Sequence, residues 1–131
     1  MEKFKKIIGV GIMLLCMHTS YSQSRLGYSQ SEIYEEFKGD KGFVSGYPQE
    51  RWLSVEVSTA LVFFTFNENN VCDVAIISPY TTSDLNYYIN RYNAEYKKTS
   101  EGHWVIVAEG YNIYISLQQT EDGVYFFNWT F

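Results

Sequence analysis

Hydrophobic and polar residues alternate through most of the chain beyond Trp52, interrupted once by apolar residues at helical spacing. From Trp52 to Phe66, Val55 and Val57 lie on one parity and Val62, Phe64 and Phe66 on the other. The parity slips near Thr59, as in a single long strand that carries a bulge. Asn67-Glu68-Asn69-Asn70 then predicts a hairpin turn, with Val71 to Ile77 as the returning strand and Pro79 ending it. Leu85, Tyr88, Ile89, Tyr92 and Tyr96 follow at three- and four-residue steps, which predicts a helix capped by Thr82 or Ser83 with one apolar stripe against the sheet. Tyr87 lies off that stripe and is expected to meet solvent. A shorter helix is predicted from Ser29, where Ser29-Gln30-Ser31-Glu32 has the form of a capping box and Ile33 and Phe37 share a face. Three further strands, residues 103–108, 112–118 and 124–131, are separated by turns at Gly110 and Glu121-Asp122-Gly123. In the middle one Ile113, Ile115 and Leu117 alternate with Tyr114, Ser116 and Gln118, so one face is core and the other wetter. The pattern predicts an α+β fold: an antiparallel sheet of about five strands, made of a hairpin plus a three-stranded meander, with two helices packed on one face.

The N-terminus follows a different pattern. Lys3, Lys5 and Lys6 precede an uncharged apolar run, Ile7 to Leu15, and Ser20-Tyr21-Ser22-Gln23 places small residues where a signal peptidase inspects them. Residues 1–22 are expected to be a cleaved signal peptide, with cleavage after Ser22 and a single domain over 23–131 in the periplasm or outside the cell. The apolar run is shorter than the roughly 20 residues a membrane-spanning helix needs. Lipid attachment at Cys16 is the alternative, and the bulky Leu15 before it opposes that reading.

Removing the signal leaves fourteen acids against seven bases, a net −7. Such a surface repels phosphates, so nucleic acid and anionic lipid are excluded as expected partners, and no stable membrane insertion is expected. Cys72 becomes the lone cysteine, without a disulfide partner and inside the apolar run Val71–Ile77, where it reads as a buried small hydrophobe.

Gly27-Tyr28-Ser29-Gln30-Ser31-Glu32-Ile33, with the order helix, hairpin, helix, meander, is similar to the opening of small exported domains of the β-lactamase-inhibitor-protein-like class, including small lipoproteins of outer-membrane assembly. The resemblance implies a protein-binding scaffold with helices on one face of an antiparallel sheet. This chain departs from it in lacking a lipobox and the paired cysteines of the inhibitor proteins, and no functional residue carries over. The aromatic last strand, Tyr125, Phe127, Trp129 and Phe131, also resembles the closing strand of an outer-membrane barrel, but five strands and two helices are too few for one.

No catalytic constellation stands out. His103 is the only histidine after residue 22, Cys/His ligand spacing and phosphate-loop glycines are absent, and no metal or cofactor is expected. Glu32, Glu35 and Glu36 sit where a helix dipole favours negative charge. Asn128-Trp129-Thr130 has the form of a glycosylation acceptor but falls in a predicted strand. Eleven tyrosines after residue 22 are more than a small core can hide. They point to a protein- or glycan-binding module, with Tyr47, Tyr87, Trp104 and Tyr114 as candidate binding residues. An inhibitor or immunity-type protein that meets a basic partner is the sharper form of that reading. The alternatives are a structural envelope protein and a hydrolase using carboxylates such as Glu50, Glu56 or Asp73.

Overall fold

The computed structural model describes residues 25–131; the signal segment read at residues 1–22, and Cys16 with it, lies outside the described residues. In chain order the elements are α1 (Gln30–Phe37), β1 (Val44–Ser45), β2 (Trp52–Glu56), β3 (Ala60–Phe66), β4 (Cys72–Pro79), α2 (Thr82–Glu95), β5 (Lys97–Ser100), β6 (His103–Ala108), β7 (Tyr111–Gln119) and β8 (Tyr125–Thr130). All eight strands form one antiparallel sheet in the order β1-β2-β3-β4-β8-β7-β6-β5. Two up-and-down runs, β1 to β4 and β5 to β8, therefore meet at a β4–β8 seam, where Ala75 faces Trp129 and Ile77 faces Phe127.

The expected sheet of five strands is corrected to eight, and each added strand has a physical reason. The stretch read as one bulged strand is the hairpin β2–β3. Val57-Ser58-Thr59 turns the chain, the Val57 amide donates to Ala60 O at 2.9 Å, and Val55 pairs with Val62. A reversal of this length switches the core parity just as a bulge does, and it holds no glycine, proline or asparagine to mark it. A register shift does occur in this region, but at Thr65/Phe66 opposite β4. The other two additions are β1, two residues in a glycine-rich connection, and β5, whose four residues are all exposed. Neither carries an apolar alternation.

Local chemistry fixes the helices and the turn. The Glu32 amide donates to Ser29 Oγ at 3.1 Å and the Ser29 amide donates to Glu32 Oε1 at 2.8 Å, so the capping box is formed. Thr81, one residue before the expected cap, accepts from the Asp84 amide at 3.0 Å and starts α2. Asn67 Oδ1 accepts from the Asn69 and Val71 amides at 2.9 and 3.1 Å, while Asn70 takes a left-handed φ of 61°.

Both helices lie on one face of the sheet, above Leu53, Val55, Val62, Phe64, Ala75, Ile77, Trp104, Ile113, Ile115, Phe127 and Trp129, all buried. On the β2–β3 side Phe37 stacks on Phe64 with ring centroids 6.1 Å apart. On the other side Tyr92 is the hub, with its ring 5.5 Å from Trp104, 4.9 Å from Phe127 and 5.7 Å from Trp129. Buried Gln30 ties α1 to the loop before β2 by donating from Nε2 to Glu50 O at 2.7 Å.

Candidate functional site

With both helices on one side, no described element covers the opposite face of the sheet. Strand register places its side chains in rows. Trp52, Thr65, Val74, Thr130, Tyr114, Val105 and Lys97 form one line across the strands. Ser54, Phe63, Ile76, Asn128, Ser116 and His103 form the next, and Glu56, Leu61 and Ser78 begin a third. The β2–β4 sector is thus apolar, the centre is polar, and Tyr114, Val105 and Val107 lie toward the β6–β7 end. Val107 is 72% exposed and Tyr114 50%. A sheet face left to solvent ordinarily alternates into polar residues, so an aromatic and aliphatic sector on it is unusual.

Trp52 is held in a fixed orientation at the corner of that sector, at the start of β2. Its indole stacks on Phe63 with centroids 5.9 Å and planes 10° apart, and its Nε1 donates to Glu50 Oε1 at 2.8 Å. Gly46 leaves the room this requires: a Cβ there would stand 2.8 Å from the indole nitrogen and 2.6 Å from Glu50 Cβ. The Glu50 amide donates to Gly46 O, which, together with Gln30 on the Glu50 carbonyl, fixes the carboxylate beside the ring. Glu56 lies on the same strand and face, and no described cation pairs with Glu50 or Glu56. The result is a preformed aromatic platform with one unneutralised carboxylate, Glu50, at its flank and a second, Glu56, four residues along β2.

The residues predicted from sequence are scattered. Tyr114 stands on the open face. Trp104 does not join it: Trp104 pairs with Ile115, is buried under α2, and donates from Nε1 to Asn93 Oδ1 at 2.9 Å. Alternation in β6 could not settle this, because Trp104, Val105, Ile106 and Val107 are apolar on both parities. Tyr47 is half-buried with its ring 5.0 Å from that of Tyr34, packing the 39–48 connection. Tyr87 is exposed on α2, its hydroxyl accepting from Arg91. Trp52 and Phe63 were missed. Their mark in the sequence is that residues 61–64 are apolar on both parities, with only enough helix to cover one side.

Other chemistry is sparse. His103 is exposed, its Nδ1 lying 3.0 Å from Glu101 O and 3.2 Å from Ser100 Oγ. Among the described residues no group of three or more His, Cys, Asp and Glu could hold a metal ion, and no helix is long and apolar enough to cross a membrane. Cavities among the described residues include a shallow one of about 240 Å³ between Tyr80, Leu85 and Tyr125 and one of about 180 Å³ under Phe37. Neither has a carboxylate in its lining.

Cys72 is fully buried, and desolvation pushes its thiol from an ordinary 9.0 up to about 12. A thiol that ionises later in the folded than in the unfolded chain supports the fold fully below pH 9, and that support is lost as pH rises from about 9 to about 12. Tyr92, also raised well above its ordinary value by burial, titrates in the same direction. Cys72→Ala is therefore expected to lose less stability than wild type between pH 8 and pH 11, measured by urea denaturation at each pH. Equal losses would show that the thiol ionises alike in both states.

Comparison with protein-family models, with curated proteins and with solved structures returns no match for this chain.

Proposed function

We propose that this chain is a small protein-binding module, working outside the cytoplasm, that docks a partner on the open face of its sheet. The observation that carries the reading is the Trp52–Phe63 stack, fixed by Glu50 and ringed by Leu61, Val74 and Ile76 on a face no described element covers. The six longer strands, β2, β3, β4, β8, β7 and β6, at about 4.8 Å spacing and roughly 17–20 Å length give a face of about 500 Å², more than half of the ~800 Å² that each partner contributes to a standard interface. The sheet edges favour this face over strand addition. β1 is only two residues long, and β5 carries Lys97, Lys98 and a register shift, devices that keep foreign strands off. Glu50, Glu56 and the net −7 of residues 23–131 favour a partner with an apolar centre and a basic rim, as an inhibitor or immunity-type protein would meet, because opposite charge steers the encounter.

A photo-crosslinking residue placed at Leu61 in the producing cells tests the reading, with Glu109 in the β6–β7 turn as comparator. The expected result is a discrete adduct with a second, basic protein at Leu61 and none at Glu109. Equal adducts at both positions, or adducts of the chain with itself alone, would overturn it. Export belongs to the same reading: intact-mass spectrometry of the exported product is expected to give a chain starting at Gln23, and recovery of the uncleaved chain in the membrane fraction would contradict it.

A further inference from the structure

The second cavity lies on the covered side of the sheet, where Phe37 at the end of α1 leans over the β2–β3 hairpin. Its volume is about 180 Å³, and it is lined by Arg25, Phe37, Val55, Val57, Val62 and Phe64. Five of the six are hydrocarbon; Arg25 is the exception. Its side chain is only 15% exposed, with the guanidinium carbon 5.4 Å from the centre of the Phe37 ring and 5.9 Å from that of Tyr28. Glu36 takes two of the nitrogens, accepting from Nε at 2.9 Å and also from Nη2. The third, Nη1, is buried and has no hydrogen-bond partner. Buried donors nearly always have an acceptor, so an orphan on the one polar residue of an otherwise apolar cavity marks a place where an acceptor belongs.

We propose that this cavity binds a small molecule with a hydrocarbon body of one ring or a short branched chain and one neutral acceptor oxygen, such as an alcohol or ketone, which takes the Arg25 Nη1 hydrogen. The size follows from the volume, since a cavity of ~150 Å³ lined by aliphatic and aromatic side chains holds benzene. The neutrality follows from Glu36. Its carboxylate already matches the guanidinium charge, so a ligand carboxylate would bring a second, uncompensated negative charge into a half-enclosed, largely apolar site. This site is on the opposite side of the sheet from the docking face and stands or falls separately.

The test uses the protein as isolated from the producing cells, with the methyl groups of Val55, Val57 and Val62 followed by NMR during titration with benzyl alcohol, toluene and benzoate. Saturable shifts confined to those methyls are expected, with benzyl alcohol binding about tenfold more tightly than toluene, the worth of one hydrogen bond, and benzoate more weakly than benzyl alcohol. Arg25→Met is expected to erase the preference for benzyl alcohol over toluene. Glu36→Gln, which leaves the guanidinium charge unmatched, is expected to reverse the order so that benzoate binds most tightly. Val62→Phe, filling the space, should abolish all three titrations while the rest of the methyl spectrum keeps its dispersion. Absence of saturable shifts up to the solubility limit, or equal affinities for benzyl alcohol and toluene in the unmodified protein, would overturn the proposal and make the cavity a packing defect.

Discussion

Tyr92→Ala is expected to remove about 4 kcal/mol of folding stability, whereas Tyr92→Phe is expected to leave stability unchanged or raise it by about 1 kcal/mol. The first figure follows from position. The Tyr92 ring is wholly buried and meets Tyr88, Tyr96, Trp104, Phe127 and Trp129, so truncation opens a cavity at the point where α2 is joined to β6 and β8. Such a loss is a large part of the roughly 5–15 kcal/mol that holds a domain folded. The second figure follows from the hydroxyl. Tyr92 Oη and Trp129 Nε1 are both buried and neither has a hydrogen-bond partner by geometry. Burial raises the phenol well above its ordinary value, and the approach of the Trp129 indole N–H to the phenol oxygen, too poorly aligned to count as a hydrogen bond, opposes this only as a lesser effect. Removing a polar atom that was desolvated without a partner costs little. Urea denaturation of both variants at pH 7 checks the pair, and a Phe variant weakened by more than about 1 kcal/mol would show that the hydroxyl is bonded.

The second large effect is on binding. Replacing Trp52 and Phe63 together by serine is expected to cut the yield of the Leu61 adduct at least a hundredfold, because buried tryptophan anchors at the centre of an interface commonly contribute more than 2 kcal/mol each. The fold should survive. Both side chains stand on the face away from the helices, and losing one cross-strand aromatic pair costs about 1 kcal/mol. Tyr87→Ser, on α2 and on the other side of the sheet, is expected to leave the adduct unchanged. The opposite outcome, an adduct that survives the double substitution and disappears with Tyr87→Ser, would move the interface to the helical side.

Much of the architecture was legible because side chains announced it locally. Ser29 with Glu32, the Asn67 turn and the stripe from Leu85 to Tyr96 each act within a few residues, and each is found where the sequence put it, the α2 cap shifting by one position. What failed required knowledge of partners. The β2–β3 turn holds no glycine, proline or asparagine, so a reversal and a bulge left the same trace. β5 is Lys97-Lys98-Thr99-Ser100, a strand only because β6 lies alongside to pair with it. Trp104 and Tyr114 looked like neighbours on one surface because β6 is apolar on both parities; pairing with Ile115 on one hand and Val105 on the other sends them to opposite sides. Trp52 and Phe63 could have been found by asking which apolar residues of 52–66 exceed what two helices can cover.

The β4–β8 seam has a consequence for how the chain is made. β4 ends at Pro79 and β8 begins at Tyr125, so Ile77 must wait fifty residues for Phe127. A chain emerging N-terminus first from a ribosome or a pore can complete β1 to β4 early, but that half then presents the bare β4 edge until the last of the sheet's strands appears. Closure joins the two halves at the middle rather than adding a strand to one side. Assembly should therefore be late and abrupt, governed by long-range pairing, and the interval before β8 emerges is when the chain most needs protection from aggregation.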